Sequence, residues 1–411
     1  MSDPRVRTET VVPTQATATL VGRVWLPGAG PRLVAVRDGR LFDVTTLGPT
    51  MADLVERDNP SRDVGTVLDQ ASDRTRSWVL ADVLRATVSE ADRRRGHDAA
   101  VEIEQTILLS PVDLQVLKAA GVTFVESMVE RVIEERVGGD PTRAAEIRAQ
   151  LGESIGSSIA NIEPGSDAAL AVLEVLRENG LWSQYLQVGL GTYPEVFTKG
   201  AVLSSVGHGS DVGIASISSW NNPEPELVLV VDSLGQARGA TLGNDANLRD
   251  IEGASALLLP LAKDNNASGS IGPFIRLFDD GFSLEDAANT TITMRIDGED
   301  GFELEATAPQ SQISRSVRHL IAATVNRAHQ YPDGLVLFCG TPFAPTKDRD
   351  ADGMGFTHHE GDLVSISSPD LGTLVNRVTS SESAPRWDFG IRDLMASLNS
   401  SAEAKHEAFP S

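Results

Sequence analysis

The chain has 411 residues, 41% of them hydrophobic, a formal charge of −23 and one cysteine, Cys339. The length exceeds one ordinary core and stops short of more than three domains, while the apolar content suffices for a sizeable interior. The acidic balance, with no basic stripe, excludes nucleic acid as a partner, and a lone cysteine excludes an internal disulfide framework and suits a reducing cytoplasm.

The opening MSDPRVRTETVVPTQATATL lacks a basic-then-apolar signal layout. No apolar run approaches the ~18 residues a membrane span needs, so a soluble, cytoplasmic protein is expected. Residues 18–45 read as short strands joined by Gly/Pro turns, and residues 48–95 as mostly helical or irregular. SPVDLQVLKAAG predicts a helix, with Ser110 as N-cap, Pro111 at N1 and Gly121 as the stop. A small N-terminal domain over 1–115 and a larger one over 116–411 are expected.

Three helical patterns follow. In GVTFVESMVERVIEERVGG, Val125, Met128, Val129, Val132 and Ile133 form one apolar stripe. DPTRAAEIRAQLGESI starts at an Asp140 cap with Pro141 at N1, and SDAALAVLEVLRENG runs from Ser166 to Gly180. Beyond about residue 200 the texture changes to strands (GIASISSW, ELVLVVDS, ARGATLGN, TITMRIDG, GLVLFCGT, DLVSISS). The fold class is therefore mixed α/β, of the α+β kind and β-rich.

The segment 220–250, WNNPEPELVLVVDSLGQARGATLGNDANLRD, carries the chemistry. ELVLVV and ARGATL predict two strands, with a turn near Leu234–Gly235. An antiparallel hairpin centred there places Glu224 opposite Asp245, while Glu224 and Glu226, two apart, share a face. One turn then gathers three carboxylates. Such a cluster repels itself unless a hard cation with oxygen ligands relieves it, and Mg²⁺ is the usual outcome, with Mn²⁺ as the alternative. A solvated strand entry is the other reading of the same residues. A dication would also give this acidic protein a positive spot for an anionic substrate.

Glu224-Pro225-Glu226, then Asn244-Asp245-Ala246-Asn247-Leu248-Arg249-Asp250, then Lys263, is an order of motifs that resembles the metal core of the fumarylacetoacetate hydrolase superfamily. LPLAKDNNASGSIGPFIRLFDDG, 259–281, is similar to the lysine-bearing substrate loop of the branch that dehydrates 2-keto-3-deoxy sugar acids. GTPFAPTKDRDADGMGFTHHEGD, from residue 340, resembles the family's closing Gly-Thr-Pro loop and Gly-Asp turn. The resemblance covers roughly 118–398.

It implies a fumarylacetoacetate-hydrolase-like C-terminal domain, with Glu224, Glu226 and Asp245 as ligands of Mg²⁺. It also implies Lys263 as base or charge stabiliser beside the bound substrate, its pKa depressed by metal and burial from ~10.4. Ser268, Gly269, Ser270, Gly340 and Thr341 are similar to substrate-carboxylate contacts. Lysine is scarce in this chain, five residues against 30 arginines, which makes Lys263 conspicuous. Ser127, Arg131 and Glu134 share a helix face; taken alone they suit a surface ion pair. The resemblance makes Glu134 a candidate acid/base, and Arg131 and Ser127 substrate contacts.

Two departures separate this chain from the carbon–carbon hydrolases of the family. Val122-Thr123-Phe124 stands where those enzymes carry a fourth acidic ligand, and Glu130-Arg131 where they carry a histidine. His208, His358 and His359 remain without a role. The implied activity is Mg²⁺-dependent dehydration of a 2-keto-3-deoxy-pentonate, of xylonate or arabinonate type, to 2-oxoglutarate semialdehyde in oxidative pentose catabolism. The implied assembly is a homodimer or homotetramer. A metal-dependent hydrolase of acylpyruvates or diketo acids is the alternative, and a non-catalytic ligand-binding protein on the same fold is a third.

Overall fold

The computed structural model describes residues 3–408 apart from 98, 139, 145, 148–161 and 344. From the first two hundred residues come β1 (Leu20–Leu26), β2 (Gly30–Arg37), β3 (Arg40–Asp43), β4 (Ser77–Val79), β5 (Ile107–Leu108), β6 (Val116–Gly121) and β7 (Glu195–Gly200). Next come β8 (Asp211–Ile214), β9 (Asn221–Asn222), β10 (Pro225–Val231), β11 (Ala237–Asp245) and β12 (Asn247–Leu248). The remainder are β13 (Gly269–Leu277), β14 (Thr291–Asp297), β15 (Glu303–Pro309), β16 (Leu335–Phe338), β17 (Leu363–Ser368) and β18 (Gly372–Ser380).

One 11-stranded sheet runs β4-β3-β2-β1-β13-β11-β10-β16-β6-β7, with β5 paired to β1 off the path. A five-stranded sheet, β15-β14-β17-β18-β8, lies apart from it in the hydrogen-bond network. Every residue of β10 and β13 is buried, so these central strands are uninterrupted in burial rather than alternating. The two main apolar clusters divide accordingly. Leu227, Leu229 and Val231 of β10 pack in one with β14 and β17 residues, and Val228 and Val230 in the other with β1 and β2 residues. The first 115 residues join the same sheet through β1, which pairs with β13 from Leu20↔Arg276.

The central hairpin forms in the expected register. Pro225 pairs with Asn244 and Glu226 with Gly243, and the Asp245 N–H donates to the Glu224 carbonyl at 2.9 Å. Its turn is held by Asp232, whose Oδ1 accepts from the N–H groups of Leu234 and Gln236. Helices form over Val125–Val137 and Asp167–Glu178, as their stripes and caps predict. The helix expected after Asp140 opens as a 3₁₀ turn at Pro141–Arg143, and residues 144, 146 and 147 are helical; most of the rest lies outside the described residues.

SPVDLQVLKAAG is not a helix. Residues 116–121 form β6, parallel to β16 and antiparallel to β7. Leu117 and Ala119 are buried while Val116 and Lys118 are half-buried, a period of two that the Ser-Pro start concealed. Tertiary pairing overrides the local cap signal. The stretch 269–277, expected as part of a loop, is instead the fully buried β13. Among the described residues no helix is long and apolar enough to cross a membrane.

Candidate active site

The hairpin closure brings Glu224, Glu226 and Asp245 together. One carboxylate oxygen from each lies within 4.8 Å of the others, and all three residues are buried. Burial pushes the Glu226 carboxyl well above its ordinary range, and Asp245 and Glu224 add their repulsion. Burial acts on Asp245 in the same sense, yet Lys199 and Lys263 outweigh it and hold that carboxyl low. A buried trio of hard oxygens under mutual repulsion fits a dication of the Mg²⁺ type, which these three side chains are suited to hold.

Lys263 ends the short helix Leu259–Lys263 and aims its Nζ into the cluster, 2.5 Å from Glu224 Oε2 and 3.3 Å from Asp245 Oδ2. Burial pushes this ammonium down, but Asp245, Glu224 and Glu252 outweigh burial and hold it protonated, above its ordinary range. With no ion at the trio, these carboxylates therefore favour the ammonium form of Lys263.

The Val125–Val137 helix lays Arg131 across the mouth. Its guanidinium reaches Glu134 at 2.6 Å, Glu224 at 2.6 Å and Glu252 at 2.9 Å. Glu134 lies behind it, gripped on its other side by Arg249. Burial raises the Glu134 carboxyl, yet Arg131 and Arg249 prevail and hold it below its usual range. It is a locked counter-charge, not among the residues lining the small cavity over the carboxylates. Arg249 is fixed in turn by the Pro345 carbonyl at 3.1 Å and stacks over Trp220 at 4.3 Å.

Gly340 and Thr341 follow β16. The Gly340 N–H donates to Glu226 Oε2 at 2.6 Å, and Thr341 Oγ1 donates to the Pro225 carbonyl at 2.9 Å. Gly340 has φ 88°, and a Cβ there would collide with Thr123 Oγ1 and stand 2.8 Å from the Ala120 carbonyl. Ser127 and Thr341 line the cavity. Ser268, Gly269 and Ser270 do not: Ser268 Oγ caps the Lys263 carbonyl at 2.8 Å, and Ser270 Oγ binds Asn376 Oδ1 at 2.6 Å. Their hydroxyls shape the strand entry beneath the site.

Four functional-looking residues escaped the sequence reading. Glu195 and Phe197 of β7 and Glu252 line the same cavity, and Lys199 lies just below it. Burial raises the Glu195 carboxyl against the pull of Arg131 and Lys263, and burial pushes the Glu252 carboxyl up to about 7. The alternation Glu195-x-Phe197-x-Lys199 was the available signal, together with the rarity of lysine. The histidines stand elsewhere: His208 bonds the Arg5 carbonyl, His358 pairs with Asp362 and His359 with Asp350.

Comparison with known proteins places the chain among relatives. Over 185 residues the chain is 31% identical to a 2-dehydro-3-deoxy-D-arabinonate dehydratase of Saccharolobus solfataricus, covering 45% of this chain and 58% of that protein. The match thus spans less than two thirds of that relative. Over 348 residues it is 29% identical to a Haloferax volcanii protein named "Probable 2-keto-3-deoxyxylonate dehydratase", covering 85% of this chain and 95% of the other. Among solved structures, that of a 2-keto-3-deoxy-D-arabinonate dehydratase complexed with magnesium and 2,5-dioxopentanoate shares the fold. Its TM-score is 0.57 at 20% identity, over 88% of this chain and 99% of that one. Residues 174–379, half of the chain, match the family described as Fumarylacetoacetate (FAA) hydrolase C-terminal, and this protein belongs to that family.

Proposed function

We propose that this protein is a hydro-lyase that dehydrates a 2-keto-3-deoxy-pentonate, of the xylonate or arabinonate type, to 2-oxoglutarate semialdehyde. The observation that carries this reading is Glu195, a half-buried carboxyl with a raised pKa that lines one small cavity together with Lys263 and the carboxylate trio. The names of the two curated relatives support the substrate class. Mg²⁺, with Mn²⁺ as substitute, is the metal; bound by Glu224, Glu226 and Asp245, it supplies Lewis-acid polarisation of the 2-keto group and so acidifies the C3 protons.

The chain's own groups do the rest. Arg131 at the mouth pairs with the substrate carboxylate, a planar fork matched to two oxygens. The Lys263 ammonium balances negative charge that builds on the keto oxygen as a C3 proton departs. Glu195 takes that proton and hands it to the leaving C4 hydroxyl, which departs as water and leaves a C3–C4 double bond. A proton then moves from C5 to C3, and the resulting C5 enol becomes the aldehyde. One water is lost and no electron acceptor is needed.

The alternative hydrolase requires a histidine–carboxylate pair over the metal. Among the described residues the cavity wall holds no histidine, and Arg131 is the residue it presents from the Val125–Val137 helix beside Ser127. The enzyme works in the cytoplasm in pentose breakdown, as a homodimer or homotetramer. Mass spectrometry of the purified protein with 2-keto-3-deoxy-xylonate and Mg²⁺ tests the reaction. Loss of one water, abolished by chelator, is expected; cleavage into two fragments, or no turnover, would overturn it.

A further inference from the structure

Lys199 is the buried cation that the reaction above does not use. Along β7 the pairing with β6 slips: Lys118 meets Thr198, but Leu117 meets Gly200, so Lys199 is the extra residue of a bulge. Bulges re-aim side chains beside sites, and here the lysine side chain is turned inward to 1% exposure. Its Nζ reaches the carbonyls of Lys263 and Ala246 and Ser268 Oγ, the last two at 3.4 and 3.3 Å. The same Nζ meets Asp245 Oδ1 at 2.9 Å as a buried ion pair.

The two oxygens of Asp245 therefore differ. Oδ2 turns to the cluster, 3.3 Å from Lys263 Nζ. Oδ1 is held by Lys199 at 2.9 Å, the closer of the two lysine contacts, whereas Lys263 sits 2.5 Å from Glu224 and farther from Oδ2, so Oδ2 is the oxygen less committed to a lysine. Asp245 has one oxygen left to give. Small dications such as Mg²⁺ demand near-octahedral geometry, whereas Ca²⁺ takes six to eight ligands and accepts both oxygens of one carboxylate. We infer that Lys199 sets Asp245 to ligate through a single oxygen, and so selects a small octahedral dication over Ca²⁺.

This rests on the metal reading of the carboxylate trio. Crystals of the full chain grown with Mg²⁺ and with Ca²⁺ test it first: an ion at the trio is expected, with one Asp245 oxygen on the ion and the other on Lys199. Calorimetric titration of the metal-free protein with each ion comes second. Lys199→Met is expected to shift the Ca²⁺-to-Mg²⁺ affinity ratio toward Ca²⁺ by about tenfold, as freed denticity favours the larger ion. The ratio cancels the charge change common to both ions, and a purely structural lysine would lower the melting temperature without moving it. Both Asp245 oxygens on the ion in the native protein, or an unmoved ratio in Lys199→Met, overturns the inference and leaves the metal reading standing. An ion elsewhere, or none bound, overturns the metal reading itself. Should Lys199→Met fail to fold, the native crystals decide.

Discussion

Gly121 and Glu195 face one another across the β6–β7 ladder, and a Cβ on the glycine would collide with Glu195 Oε2 and stand 3.0 Å from its carboxyl carbon. The absent side chain is what lets this half-buried carboxyl share a cavity with Lys263. Gly121→Ala is therefore expected to displace Glu195 and lower kcat by about tenfold or more, with Mg²⁺ affinity little changed. Glu195→Gln removes the proton carrier and should cost about 10²–10⁴ in kcat, the span typical of a general acid–base group. Steady-state kinetics on both variants check this, and a Glu195→Gln enzyme of native rate would end the assignment.

Glu226 is a carboxyl that burial and its two neighbours disfavour as an anion. Glu226→Gln keeps an oxygen for the Gly340 N–H while relieving the repulsion. Without metal the variant should melt no lower than the native protein. With Mg²⁺ at a hundred times the native Kd, it should lack the stabilisation of about 2.7 kcal/mol that such binding confers. Thermal scans with and without Mg²⁺ read this directly; full Mg²⁺ stabilisation of the variant would remove Glu226 from the ligand set.

Glu134 and Arg249 hold Arg131 in place, so Glu134→Gln should weaken substrate capture more than chemistry. An increase in KM of about tenfold with a smaller change in kcat is expected, as befits a lost clamp rather than a lost proton carrier. Disappearance of one limb of the pH–rate profile would instead return Glu134 to acid–base duty.

His208 ties the first residues of the chain to β18. Its Nε2–H donates to the Arg5 carbonyl at 2.8 Å and its Nδ1 accepts from the Val375 N–H at 3.1 Å, which requires the neutral ring. Burial depresses its pKa to about 4, against 6.5 for the free side chain. The unfolded chain thus binds the proton more readily than the folded one. The stability is fully present above pH 6.5 and is lost as pH falls toward 4, by about 3 kcal/mol for this group. Urea midpoints should fall across that window in the native protein and fall less in His208→Gln; parallel slopes would refute the assignment.

The trio of carboxylates was legible because a single turn builds it. Apolar runs on either side of Asp232–Gln236 fix the register, and Glu224 meets Asp245 with no help from distant chain. Glu195 and Lys199 were not legible, since β7 reaches the site only by pairing with β6, itself placed by a parallel ladder to β16, more than two hundred residues away. The same ladder made a strand of the Ser-Pro segment that local capping assigned to a helix. Non-local pairing is decided by burial on both faces, which a window of a dozen residues does not contain. Glu134 was read on the correct helix face, but Arg249 approaches it from a separate motif and changes what that carboxylate can do.

The ladder from β1 to β13 has a bearing on how this protein can be cut. Removing the first 115 residues would strip β13 of its outer partner and bare a strand that is buried along its whole length, leaving the backbone groups near Ile275 and Arg276 unanswered. Open edges of that kind recruit other chains. A shortened version should accumulate as insoluble material, so the amino-terminal hairpins give the protein a built-in guard against aggregation along this edge.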